Sequence, residues 1–173
     1  MNTLLLLFAG LTNIATAQAY SVPNYEFIPA IIETVETMEV EQKQDLRATK
    51  VDAYFAKRNM PLEGYGDQFI AVADKYDVDW RLLPAIAVRE STGGKFLLNN
   101  NPFGWGSCKI PFKDFNEAIE VVGMHLSGNH ESTARYYKDN DVQEKLYWYN
   151  GTVLPSYPDE VMSIMRMFEE TTV

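Results

Sequence analysis

Only one cysteine, Cys108, occurs in the 173 residues, which excludes an intrachain disulfide and a cysteine-rich metal site and leaves packing to stabilise the fold. It also lacks the surrounding His and Asn arrangement that a cysteine peptidase needs. The two histidines, His125 and His130, have no third ligand at a suitable spacing, so no metal and no other cofactor is expected. Basic residues are scarce: 15 Lys and Arg stand against 24 Asp and Glu, a formal net charge of -9. That balance argues against nucleic acid and anionic membrane surfaces as partners, because both require clustered cations. Any grip on an anionic glycan must then rest on hydrogen bonds and ring stacking. An unbroken apolar span of about 20 residues is also missing, so no membrane-spanning helix is expected. There is no internal repeat and no low-complexity segment.

What the chain does have is 46% hydrophobic residues and an aromatic set of 10 Tyr, 9 Phe and 3 Trp, enough for a core and for a carbohydrate-stacking cleft. The run Leu4 to Gly10, interrupted later by Thr12, Asn13, Thr16 and Gln18, leads to the small-x-small pattern Ala17-Gln18-Ala19. It reads as a secretory signal peptide over residues 1–19, with an uncleaved N-terminal anchor as the alternative. Export, to the medium, the periplasm or the cell envelope, follows. Residues 20–60 read as a helical extension, with Ile28, Ile31, Ile32, Val35 and Met38 and then Leu46, Val51, Tyr54 and Phe55 at helical spacing. The Pro- and Gly-dense stretch Met60 to Gly66 separates it from a domain over 61–173.

Within that domain the patterns are helical. Asp67 to Tyr76 carries Phe69, Ile70, Val72 and Ala73 on one side, and Asp79 to Glu90 follows with Pro84 inside it, where a lost backbone bond predicts a bend. Asp114-Phe115-Asn116-Glu117 and Asp141-Val142-Gln143-Glu144 have capping-box spacing and open helices to about Leu126 and Tyr149. Ser156-Tyr157-Pro158 opens a last helix, with Val161, Met162, Ile164, Met165 and Phe168 as its core stripe. Only Lys95 to Phe112 breaks the pattern. Its three Asn, Pro and Gly favour turns, and a short β-hairpin over 95–112 is expected there. The fold class is mainly α, and a monomer is expected.

One residue is out of place on an apolar face. With Asp79 as N-cap, Leu83, Ile86, Ala87 and Glu90 share one helix face, just before the helix-stopping Gly93-Gly94. Burial disfavours a carboxylate's charge, and the negative end of a helix dipole does the same, so an acid so placed can keep its proton and serve as a general acid. The plain alternative is a Glu90 turned outward beside Arg89 at a frayed helix end.

Further segments line up behind it: Glu90-Ser91, the turn Asn101-Pro102-Phe103-Gly104-Trp105-Gly106, Tyr136-Tyr137, and Tyr147-Trp148-Tyr149-Asn150 followed by Tyr157. This order resembles the lysozyme-like superfamily of peptidoglycan-cleaving enzymes, in its bacterial N-acetylglucosaminidase and lytic transglycosylase branches, over roughly Asp67 to Phe168. The Asn-Pro-Phe-Gly turn is nearer the glucosaminidase branch, and Tyr149-Asn150-Gly151 is close to the transglycosylase Tyr-Asn-Ala-Gly without its Ala. The resemblance implies a helical lysozyme-like domain with Glu90 as the catalytic acid, Ser91 as a substrate or backbone hydrogen-bond partner, and Asn150 and Tyr157 as cleft residues. Asn101, Phe103, Trp105, Tyr137 and Tyr149 complete the expected substrate-binding set, Phe103 and Trp105 by stacking on a sugar or by packing.

The implied activity is hydrolysis of β-1,4 bonds in glycan strands of N-acetylglucosamine and N-acetylmuramic acid, in the manner of an endo-β-N-acetylglucosaminidase. A lytic transglycosylase leaving anhydromuramic ends, and an inactive glycan-binding or envelope protein on the same fold, are the alternatives. A third is an anchored interaction protein docking through Ile28 to Arg58. Two-carboxylate glycosidases place their acids about 5 to 9 Å apart. Asp114, Glu117, Glu120 and Glu131 are eligible partners, but the first two are explained as caps and the others as exposed residues. A single-acid route, with the substrate's acetamido group assisting and Glu90 acting as acid and then base, fits the residues better.

Overall fold

The computed structural model describes residues 46–173. The expected signal peptide and residues 20–45 of the expected extension lie outside the described residues. Among the described residues 59% are helical and none lies in a strand, so the class is mainly α. The helices are α1 over residues 46–56, α2 Gly66–Tyr76, α3 Leu82–Ser91, α4 Phe115–Leu126, the short α5 Ala134–Tyr137 and α6 Val142–Leu146, and α7 Tyr157–Glu169. A π-helical turn, Tyr147–Gly151, continues α6.

The organising element is α3. Leu82 to Ala87 are all buried, so this helix is apolar all round and lies inside the others, as such a helix must. It packs most extensively on α7 and also on α2 and α4. α7 turns Val161, Met165 and Phe168 inward, with Met162 and Ile164 half-buried beside them. α1 closes the far side: Tyr54 stacks on Phe168 at 4.1 Å, and Phe55 meets Phe168 at 5.6 Å and Phe69 at 5.9 Å. Packing therefore runs unbroken across 60–61. α2 and α4 approach closely at Gly123, where a Cβ would collide with the Val72 side chain.

Two expectations about α3 are corrected. The helix begins at Leu82, three residues beyond Asp79, because the Asp79 carboxylate is taken up by the Arg81 backbone N–H at 2.9 Å and the Arg81 guanidinium at 2.6 Å. Pro84 is thereby the third residue of the helix. Its missing N–H is one that has no intrahelical acceptor in any first turn, so it costs no backbone bond there.

The β-hairpin expected over 95–112 is also corrected, since no strand forms there. Asn99 and Asn100 adopt left-handed backbone (φ 58° and 53°), as do Gly104, Gly106, Ser107 and Cys108 (φ 57° to 64°), and such residues interrupt any extended run. One backbone bond, Phe112 N–H to Asn99 C=O at 2.9 Å, links the two limbs. Asparagine amides supply the rest, Asn99 Nδ2 to Cys108 C=O and Asn100 Nδ2 to Phe112 C=O.

The two capping motifs form differently. Asp141 and Glu144 make the complete reciprocal box. At α4, Asp114 accepts from Glu117 N–H at 2.9 Å, but the Glu117 carboxylate accepts from Lys113 N–H in place of Asp114.

Candidate active-site cleft

α3 ends where the cleft begins. Ser91 closes the helix: its hydroxyl donates to Ala87 C=O and accepts from Gly94 N–H, each at 2.9 Å, while Thr92, in left-handed backbone, donates its N–H to Val88 C=O. Ser91 is buried and both sides of its hydroxyl are used within the helix end, so of its two expected roles it fills the backbone one and is not free for substrate. Arg89 turns away to α7, where its Nε donates to Glu160 at 2.6 Å and its guanidinium lies 5.8 Å from the Tyr157 ring. Glu90 does not accompany it. Its side chain faces a cavity of about 640 Å³ lined also by Gly104, Trp105, Ile110, His125, Thr133 and Asn150, among others.

Gly104 sets the wall opposite the carboxylate. Its φ is +64°, and a Cβ there would lie 3.0 Å from Glu90 Oε2, so backbone conformation and space both favour glycine at this position. The loop that carries it is clamped from inside by Asn101. The buried Asn101 amide donates through Nδ2 to Trp105 C=O at 2.8 Å and to Ile110 C=O at 3.2 Å, and its Oδ1 accepts from Trp105 N–H at 3.0 Å. Asn101 is therefore a loop clamp with its amide committed, a correction to its expected place in the substrate-binding set. Phe103 takes the packing alternative: it lines the cleft, but its side chain is wholly buried in the core, and its backbone C=O accepts from the Tyr149 hydroxyl at 2.6 Å.

Below Glu90 lies an aromatic floor. Tyr149, carried inward by the π-helical turn, stacks on Tyr157 with ring centroids 6.0 Å apart and planes 6° from parallel, and meets Trp105 at 5.7 Å. Both phenols are held far above the ordinary tyrosine value. Burial is the main cause in each; the Glu90 charge adds to it for Tyr149, as do the charges of Tyr149 and Glu90 for Tyr157. Two buried oxygens here, Glu90 Oε1 and the Tyr157 hydroxyl, make no well-aligned hydrogen bond, yet the two side chains are close enough that contact with the Glu90 carboxylate helps to raise the Tyr157 phenol.

The other expected residues divide. Trp105 and Asn150 line the cleft with Glu90, and Tyr149 lines it while bracing the floor. Tyr157 is fully buried beneath Tyr149, a floor residue outside the lining set. Tyr137 is corrected: it is buried behind Trp105, at 6.4 Å between centroids, and does not line the cavity, while Tyr136 packs on Trp148 at 5.3 Å. Among the described residues no second carboxylate lines the cavity. Asp114 and Glu117 are spent at the start of α4, Glu120 is bound by Lys75 and Tyr76, and Glu131 is exposed.

Sequence reasoning considered His125 only as a metal ligand, and it missed Ser132 and Thr133 altogether. These residues line the cleft with Glu90, and nothing in their local pattern announces it. Among the described residues no group of three or more His, Cys, Asp or Glu could hold a metal ion, and no helix is long and apolar enough to cross a membrane. No family model, no curated protein and no solved structure matches this chain.

Proposed function

We propose that this chain is an exported glycosidase with a lysozyme-like helical domain that hydrolyses β-1,4 bonds in peptidoglycan strands, in the manner of an endo-β-N-acetylglucosaminidase, with Glu90 as general acid. One observation supports the reading: Glu90, at the end of the apolar α3, lines a cleft of ordinary small-ligand size, with one carboxylate oxygen buried beside the Tyr157 hydroxyl.

The surroundings suit a sugar. Trp105 offers a partly exposed ring for stacking on a pyranose face, and Asn150, Thr133 and Ser132 offer amide and hydroxyl groups to its substituents. Glu90, fixed by the close approach of Gly104, protonates the glycosidic oxygen as the bond to the anomeric carbon breaks. With no second acid among the described lining residues, the substrate's acetamido oxygen is the group that supports the developing positive charge on the ring carbon.

The test is a Glu90→Gln variant on purified cell walls, with products identified by mass spectrometry. Wild type should release reducing N-acetylglucosamine ends, and the variant should bind walls without releasing them. Anhydromuramic ends would make the protein a lytic transglycosylase. Release of neither product by wild type sinks the enzyme reading and leaves a glycan-binding protein.

A further inference from the structure

We propose that the exposed rings of Trp148 and Tyr147 form a stacking surface outside the cleft, an outer subsite for pyranose rings of the same glycan strand that is held at Glu90. The inference rests on the glycosidase reading above and extends it from the bond that is cut to the length of strand that is bound.

The π-helical turn Tyr147–Gly151 sorts its rings. Tyr149 goes inward to the cleft floor, while its two predecessors are left outside, Tyr147 49% and Trp148 43% exposed. Trp148 is the exposed one of the three tryptophans. Neither its indole N–H nor the Tyr147 hydroxyl makes a hydrogen bond among the described residues, so both polar tips are open to a ligand. A ring with an apolar body and a polar tip suits an interface with a partner built the same way, and a pyranose, with C–H faces and a hydroxyl edge, is such a partner.

The surface is braced. Trp148 meets Tyr136 of α5 at 5.3 Å with planes 49° apart, and Tyr147 at 5.3 Å with planes 73° apart. Two rings therefore hold the indole, which lowers the cost of ordering it on binding. The Arg135 guanidinium lies over Tyr136, 4.5 Å from its centroid, so Tyr136 is a support more than a platform. Arg135 itself is exposed and has no ion-pair partner among the described residues, which leaves N–H donors for sugar oxygens at this edge.

Two limbs join the surface to the cleft. The turn that carries Tyr147 and Trp148 continues into Tyr149 and Asn150, which line the cavity. On the other limb Ser132 and Thr133 line it, and Tyr136 follows one turn later, donating its N–H to Thr133 C=O at 2.9 Å. Buried Tyr137 spans the interval, its ring 6.4 Å from Trp105 and 6.3 Å from Tyr136, so the outer rings begin two ring contacts from the cleft tryptophan. A strand seated at Glu90 has further sugars to place, and this aromatic surface adjoins the cleft on both limbs. A second copy of the chain suits it less, because each copy carries a net charge of -9.

Full-length Glu90→Gln protein, which holds strands uncut, is titrated with long peptide-free glycan strands and with the disaccharide of the same repeat, alone and with Trp148→Ala, Trp148→Tyr or Tyr147→Ala added. Trp148→Ala should weaken long-strand binding about tenfold, the order of one lost ring stack, and leave the disaccharide unchanged; Trp148→Tyr should recover most of the loss. Long-strand affinity within about twofold in Trp148→Ala, or a loss no larger than that for the disaccharide, overturns the subsite, and light scattering then tells whether the surface joins two copies. Indole N–H signals in the NMR spectrum of Glu90→Gln alone need no ring variant to fold: long strands should shift Trp105 and Trp148, and the disaccharide Trp105 alone. An unmoved Trp148 signal with product release by wild type overturns the subsite and leaves the glycosidase reading. A shifted Trp148 signal with no product release removes the enzyme and leaves the glycan-binding surface.

Discussion

Replacing Asn101 by alanine should cost far more than any surface substitution. The side chain makes three hydrogen bonds, two from Nδ2 to Trp105 and Ile110 carbonyls and one from Trp105 N–H to Oδ1, all within the loop that carries Gly104. At about 1 kcal/mol net for each bond, the loss is about 3 kcal/mol, with more if the abandoned backbone groups find no water. In a domain of this size that lowers the melting temperature by roughly 10 °C. Chemical denaturation of wild type and Asn101→Ala, in the absence of any glycan, measures it as a shift in midpoint at constant slope. Asn101→Asp should be at least as damaging, because it turns a carboxylate oxygen toward two carbonyls. A loss below about 1 kcal/mol together with a selective drop in glycan affinity would refute the reasoning and return Asn101 to the substrate.

Two further perturbations probe the same site. Gly104→Ala places a Cβ 3.0 Å from Glu90 Oε2 at a φ of +64°, so it should destabilise by about 1–2 kcal/mol and also reduce turnover per folded molecule; wild-type turnover would show that the carboxylate does not depend on that close approach. The buried tyrosines predict alkaline lability: Tyr137 is pushed up to about 12, mainly by burial, and burial also raises Tyr149 and Tyr157 well above the ordinary tyrosine value. Unfolded phenols ionise near pH 10, so the stability these groups contribute is complete below about pH 10 and is lost as pH rises toward their folded values. Urea midpoints between pH 8 and pH 11, with ultraviolet titration of phenolate, should show that fall; a flat profile would contradict the burial argument.

The elements that the chain announces are those governed by local rules. The apolar positions of α2 and α7, the Asp114 and Asp141 caps and the stop after Ser91 all depend on neighbours within about four residues, and they appear where the pattern places them. The hairpin failed for a reason also local in origin but ambiguous in outcome: asparagines that favour a turn serve equally in a loop whose side chains replace the β ladder. Ser91 and Asn101 illustrate the same ambiguity at the site. A residue type able to bind a sugar is equally able to bind backbone, and here both found backbone first.

By itself the sequence determined a mainly helical domain and an acid at the end of its most apolar helix. Those follow from spacing, caps and breakers, which act over short range. Only the tertiary structure decided what surrounds that acid. It brought Gly104 against one carboxylate oxygen, buried the other beside the Tyr157 hydroxyl, and set His125 in the lining of the same cleft. The physical reason is distance along the chain: Glu90, Gly104, His125 and Tyr149 come from four separate elements, and only packing around α3 gathers them at one cleft.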